Sequence, residues 1–137
     1  MKKIDEEGLK LCMLQAEVFA DSLTVTLCSS PVFIRRFMHS EVAAQMDRRG
    51  FLLEACDASS ILNEVDTQYG PTSYGKERYG QEELYWLGYL YRYWTYAYEK
   101  SSKQVSNSWN SISDFYRTIS GYFEINQEIV LFYSPYR

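Results

Sequence analysis

Apolar residues recur at helical spacing along most of the chain. Leu9, Cys12, Met13, Ala16, Ala20, Leu23 and Leu27 follow one another mostly at intervals of three and four, which predicts a first helix over residues 5–28. Asp5, Glu6 and Glu7 suit its positive N-terminal end. The β-branched pair Val25-Thr26 weakens its last turn. Ser30 then offers an N-cap with Pro31 at the first helical position. A second helix is expected from there to about Arg49, with Ile34, Phe37, Met38, Val42 and Met46 inward and Gly50 as its stop.

Residues 51–57 (FLLEACD) fit either a short extended piece or a half-buried turn. Asp57 or Ser59 can cap a third helix to about Tyr69, ended by Gly70 and blocked by Pro71. Residues 70–80 form a long loop with glycine at 70, 75 and 80. Such a loop is ordered only if its side chains dock, and Tyr74 and Tyr79 are the anchors on offer. The helix expected over 81–100 is the central one. Leu84, Leu87, Tyr91, Trp94 and Tyr98 make one stripe, and Trp86, Leu90, Tyr93 and Ala97 make another. A helix apolar on most sides is surrounded by protein. Gly88 midway costs about 1 kcal/mol against alanine, which is offset if it lets another helix approach closely. Beyond Lys100 the chain is serine-rich, with a turn of helix after Ser102, a last helix over 112–121 and a short extended C-terminal segment.

Composition sharpens this picture. Aromatic residues make up 17% of the 137, so the core of one domain is built from large rings whose polar ends need partners. Nine of the thirteen tyrosines and two of the three tryptophans fall between Tyr69 and Tyr98, including the pairs Tyr69-Gly70, Tyr74-Gly75 and Tyr79-Gly80. The net charge is −4, and its whole excess lies in residues 51–100, with eight acids against four bases. An acidic, tyrosine-rich surface repels phosphate backbones and suits a basic protein partner better than nucleic acid or an anionic membrane. Cys12, Cys28 and Cys56 are odd in number and widely spaced, and there is one histidine. Neither a disulfide framework nor a zinc site is expected, and no cofactor is implied. The start MKKIDEEG runs into acids, and no stretch approaches eighteen uninterrupted apolar residues. A cytoplasmic protein without signal peptide or membrane span is expected.

The runs FMHSEVAAQMD, from Phe37 to Asp47, and ILNEVDTQYGPTSYGKERYGQEELYWLGYLYRYWTYAYEKSSK, from Ile61 to Lys103, resemble an uncharacterised family of small cytoplasmic proteins of Gram-positive bacteria. The positions that carry the resemblance are Tyr69-Gly70, Tyr74 to Glu77, Glu83 to Trp86, Gly88-Tyr89, Tyr91 to Trp94 and Ser101 to Lys103. They span about half of the chain. Members of that family lie on mobile elements or beside toxin-like genes, so the resemblance implies an antitoxin-like or inhibitory role and carries over no catalytic residue. Beyond Lys103 the chain departs from the basic continuation of such proteins.

Several constellations invite sharper chemistry. Arg35, Arg36 and His39 share a helix, as the Arg and His of all-helical HEPN-type ribonucleases do. Those leave four to six residues between the two, against three and two here, so His39 reads as a partly exposed helix residue. Glu82 and Glu83 beside Tyr85 could form a carboxylate site, but acids in a first turn more simply complement the helix dipole. Arg92, among Tyr89, Tyr91, Tyr93, Trp94 and Tyr96, reads either as an anion-binding arginine or as an ion pair bracing the core, with Glu64 or Asp66 as partner. The serine-rich stretch lacks the basic face of a helix-turn-helix.

The sequence thus predicts an all-α single domain of four or five helices around the helix at 81–100. Its expected activity is non-enzymatic: binding and neutralising a toxin or nuclease. The candidate partner-binding residues are Tyr69, Tyr74, Lys76, Glu77, Tyr79, Glu82 and Arg92. An all-helical metal-independent ribonuclease or toxin centred on Arg92, and a DNA-binding regulator using residues 101–120, are the alternatives.

Overall fold

The computed structural model describes residues 2–48, 56–109, 116, 134 and 136. Six helices run through them: α1 (Glu6–Val25), α2 (Ser30–Met38), α3 (Glu41–Asp47), α4 (Ala58–Tyr69), α5 (Gln81–Ala97) and α6 (Ser102–Asn107). The all-α class is as expected, and the helix count differs from the sequence reading for identifiable reasons. The stretch expected to be one helix from Pro31 to about Arg49 is two helices over its described part, which ends at Arg48. Ser40 leaves the helical region at ψ 160 and its hydroxyl accepts from the Ala43 amide, so it caps a new helix where the first one ends at His39. The apolar spacing survives the break, and Ile34, Phe37, Met38, Val42 and Met46 are all buried. The turn after Ser102 is α6, closed by a capping box between Ser101 and Gln104.

Caps set the other boundaries. Asp5 accepts from the Gly8 amide at the start of α1, and Asp57 accepts from the Ser60 amide at the start of α4. α1 ends at Val25, short of residue 28, with Thr26 extended. Leu27, the last residue of the expected apolar spacing, therefore lies outside the helix and is 78% exposed, and Met13 within that spacing is also exposed. The cap of α2 is Ser29, one residue before Ser30, which stands in the first turn beside Pro31. α5 stops before Lys100 because Glu99 turns left-handed at φ 53. The Lys100 and Glu99 amides then donate back to the Thr95 and Tyr96 carbonyls, closing the end as a Schellman motif does. The expected last helix over 112–121 apart from Tyr116, the expected stop at Gly50, the extended tail, and most of 51–57 lie outside the described residues.

α5 is the centre of the molecule, and its most extensive contact is with α1. Gly88 is the reason that contact is close. A Cβ there would come within 2.7 Å of the Gln15 carbonyl oxygen and 3.0 Å of the Ala16 Cα. The glycine that weakens α5 by propensity therefore permits the approach of α1, and alanine would push two backbones apart. The core beside it is aromatic. The Phe19 ring stands edge-on to Phe33, Phe37 and Tyr91 at centroid distances of 5.7, 5.4 and 6.4 Å, the arrangement that ring quadrupoles favour. Leu84, Leu87, Tyr91 and Trp94 of the first stripe are buried, and Trp86 and Tyr93 of the second are half-covered. No helix among the described residues is long and apolar enough to cross a membrane.

Candidate functional site

The loop from Gly70 to Gly80 is the functional candidate, and it is fixed by its backbone rather than by its tyrosines alone. A helix start leaves amides without intrahelical acceptors. Here the Ser29 and Ser30 amides at the start of α2 donate to the Tyr74 and Glu77 carbonyls at 3.0 and 2.8 Å. The Tyr79 amide donates to the Ser30 hydroxyl at 2.9 Å. Gly75 makes this docking possible: it sits at φ +83, and a Cβ would fall 2.5 Å from the Ser29 hydroxyl. Arg36 of α2 donates to the Gly70 carbonyl at 2.6 Å and lies over the Tyr69 ring at 5.2 Å. Arg78 donates to the Leu23, Thr26 and Cys28 carbonyls, so one guanidinium gathers acceptors left open where α1 ends.

The three Tyr-Gly pairs do different work on this frame. Tyr79 is 3% exposed and stacks on Tyr116 at 3.9 Å between centroids, so it closes the loop onto the core and presents no face to a partner. Tyr74 is 76% exposed although the backbone beneath it is tied to α2. Tyr69, at 37%, is partly covered by Arg36. Lys76, Glu77 and Glu82 are all exposed. Burial, with the neighbouring carboxylates of Glu83 and Glu77, holds the Tyr116 phenol above its usual range.

Helix α2 supplies the opposite sign. Pro31, Val32, Arg35, Arg36, His39, Tyr69 and Tyr74 line an open recess of about 580 Å³. Pro31, Arg35 and His39 are spaced by four, so they lie on one face of α2. The His39 Nδ1 is 2.9 Å from the Arg35 carbonyl. A carbonyl only accepts, so Nδ1 is the donor in this contact. The surface around the exposed tyrosines is therefore of mixed charge, not uniformly acidic. The arginines and histidine that sequence spacing set aside as a poor nuclease match matter here as neighbours of Tyr69 and Tyr74. The four-residue spacing from Pro31 to His39 was the available signal.

Arg92 belongs to the interior. It is 0% exposed, and its Nε donates to Gln15 at 2.7 Å, Nη1 to Asp47 at 2.6 Å and Nη2 to the Ser102 hydroxyl at 2.9 Å. Asp47 accepts further bonds from the Ser102 amide and hydroxyl. The bracing role holds, but its acid is Asp47 and not Glu64 or Asp66, and as a candidate contact for a partner Arg92 is out of reach. The cluster joins α1, α3, α5 and α6 at one point. Set against models of protein families, curated proteins and solved structures, the chain matches none.

Proposed function

We propose that this chain is a non-enzymatic binding protein that neutralises a toxin or nuclease by direct contact, with the loop at 70–80 as the core of its interface. The observation that supports this most is Tyr74. A large amphipathic ring stands in solvent on a backbone already held in place, so docking a partner onto it requires little further ordering. Tyrosines of this kind are enriched among the few residues that dominate protein interfaces. Arg92, on which a ribonuclease of this chain would centre, has donors from all three guanidinium nitrogens committed inside the fold. Glu77 and Glu82 are exposed acids, the sign that suits basic groups of the partner.

The test is capture of the partner from host lysate on the immobilised chain, followed by binding kinetics with the purified partner. Tyr74→Ala should weaken the complex by about 2 kcal/mol, roughly thirty-fold in Kd. Glu82→Gln should mainly slow association, with an effect that fades as salt rises. A folded Tyr69→Ala/Tyr74→Ala variant that holds the same partner with unchanged affinity would move the interface elsewhere.

A further inference from the structure

The recess between α2 and the loop has a composition that specifies its occupant more narrowly than the exposed tyrosine does. Its apolar part is Pro31 and Val32 with the rings of Tyr69 and Tyr74, and its polar part is Arg35, Arg36 and His39. Among the described residues no carboxylate lines it. Arg35 is exposed and makes no ion pair or side-chain hydrogen bond among the described residues. Arg36 gives one donor to the Gly70 carbonyl and is braced over Tyr69. That fixes its guanidinium in place and leaves donors for another acceptor.

We propose that this recess binds an acidic segment of the partner protein, with an apolar side chain over Pro31 and Val32 between the tyrosines and a flanking carboxylate on Arg35 and Arg36. The proposal rests on the protein-binding reading and gives it the chemistry of one subsite. Complementarity of charge selects the occupant. A basic segment would face two guanidiniums. Single-stranded nucleic acid also pairs rings with cations, but it needs a basic groove that follows several phosphates. This chain carries a net charge of −4, and exposed Asp66 and Glu77 stand near either end of the loop. Two arginines at one spot match one or two carboxylates. A small free anion would leave the apolar wall without a purpose.

Four blocked peptides differing at the flanks or centre provide the test: leucine flanked by aspartates, by asparagines or by lysines, and glycine flanked by aspartates. A short oligothymidylate is the fifth probe. Binding to the intact chain is followed by amide chemical shifts and by competition. The aspartate–leucine peptide should bind about ten-fold more tightly than the lysine peptide, with the advantage shrinking as salt rises. Removing the central leucine should weaken it, and Arg35→Gln should abolish the acidic preference without unfolding the chain, because Arg35 supports no other side chain among the described residues. Preference for the lysine peptide, tighter binding of oligothymidylate, an acidic preference intact in Arg35→Gln, or no peptide shifting the recess amides at about millimolar concentration would each overturn the proposal. If the peptides fail while Tyr74→Ala still releases the captured partner, the binding reading stands and only the acidic subsite falls. If the peptides bind and no partner depends on Tyr74, the loss is on the other side.

Discussion

Removing Asp47 should be among the most damaging single changes in this fold. Asp47→Ala leaves the fully enclosed Arg92 guanidinium with Gln15 and Ser102 but no counter-charge among the described residues. Truncating one member of a buried ion pair costs about 3–5 kcal/mol, a large share of the roughly 5–15 kcal/mol that holds a domain folded. The two members are unequal. The Asp47 side chain is 16% exposed and keeps the Ser102 amide and hydroxyl as donors. Arg92→Met, which also fills the space, should therefore cost only about 1–3 kcal/mol. The double variant should be more stable than the sum of the two predicts by at least about 1 kcal/mol, since neither charge is then left unpaired. Urea unfolding followed by tryptophan fluorescence, with slopes compared to detect altered unfolded states, measures all four corners of the cycle. Additive losses, or an Asp47→Ala variant within about 1 kcal/mol of the parent, would show that the pair does not brace the core. An Arg92→Met protein of parental stability that loses partner binding would return Arg92 to the site.

Gly75→Ala should detach the loop while sparing the core. It loses about 1–2 kcal/mol for the left-handed backbone, meets the Ser29 hydroxyl as well, and should speed hydrogen exchange at the Ser29 and Ser30 amides. Gly70→Ala, whose Cβ would meet nothing within 4 Å despite φ +79, should suffer the backbone cost alone and keep those amides protected. Alkaline titration followed by tyrosinate absorbance should show late-ionising phenols. Burial pushes Tyr89 up to about 12 and Tyr91 further still, against an ordinary value near 10. The unfolded chain then loses these protons first, so their contribution to stability is whole below about pH 10 and is lost as pH climbs towards 12 and beyond. Phenols in the folded chain that all titrate together near pH 10 would contradict the burial of α5.

Periodicity and capping chemistry carried much of the fold. The central position of α5, the close approach at Gly88 and the cap at Asp57 all follow from residues that act locally or along one helix face. The break at Ser40 was invisible because Phe37, Met38, Val42 and Met46 keep helical spacing across it, and a serine in a helix announces a cap only when the chain actually turns. The choice of Asp47 for Arg92 depends on how α3 and α6 pack against α5, which no spacing along α5 encodes. The site was half legible. Clustered Tyr-Gly pairs pointed to the loop, but which ring is buried and which exposed is decided by its backbone bonds to α2. Counting charge along the chain gave an acidic region, whereas folding sets Arg35, Arg36 and His39 against its tyrosines.

Neutralisation by direct contact is tested most directly by titrating the activity of the purified partner with this chain. The expected result is saturable loss of the toxic or nucleolytic activity, with an inhibition constant that Tyr74→Ala raises about thirty-fold while leaving the chain folded. Full partner activity at saturating chain, or Tyr74→Ala inhibiting as strongly as the parent, would contradict it.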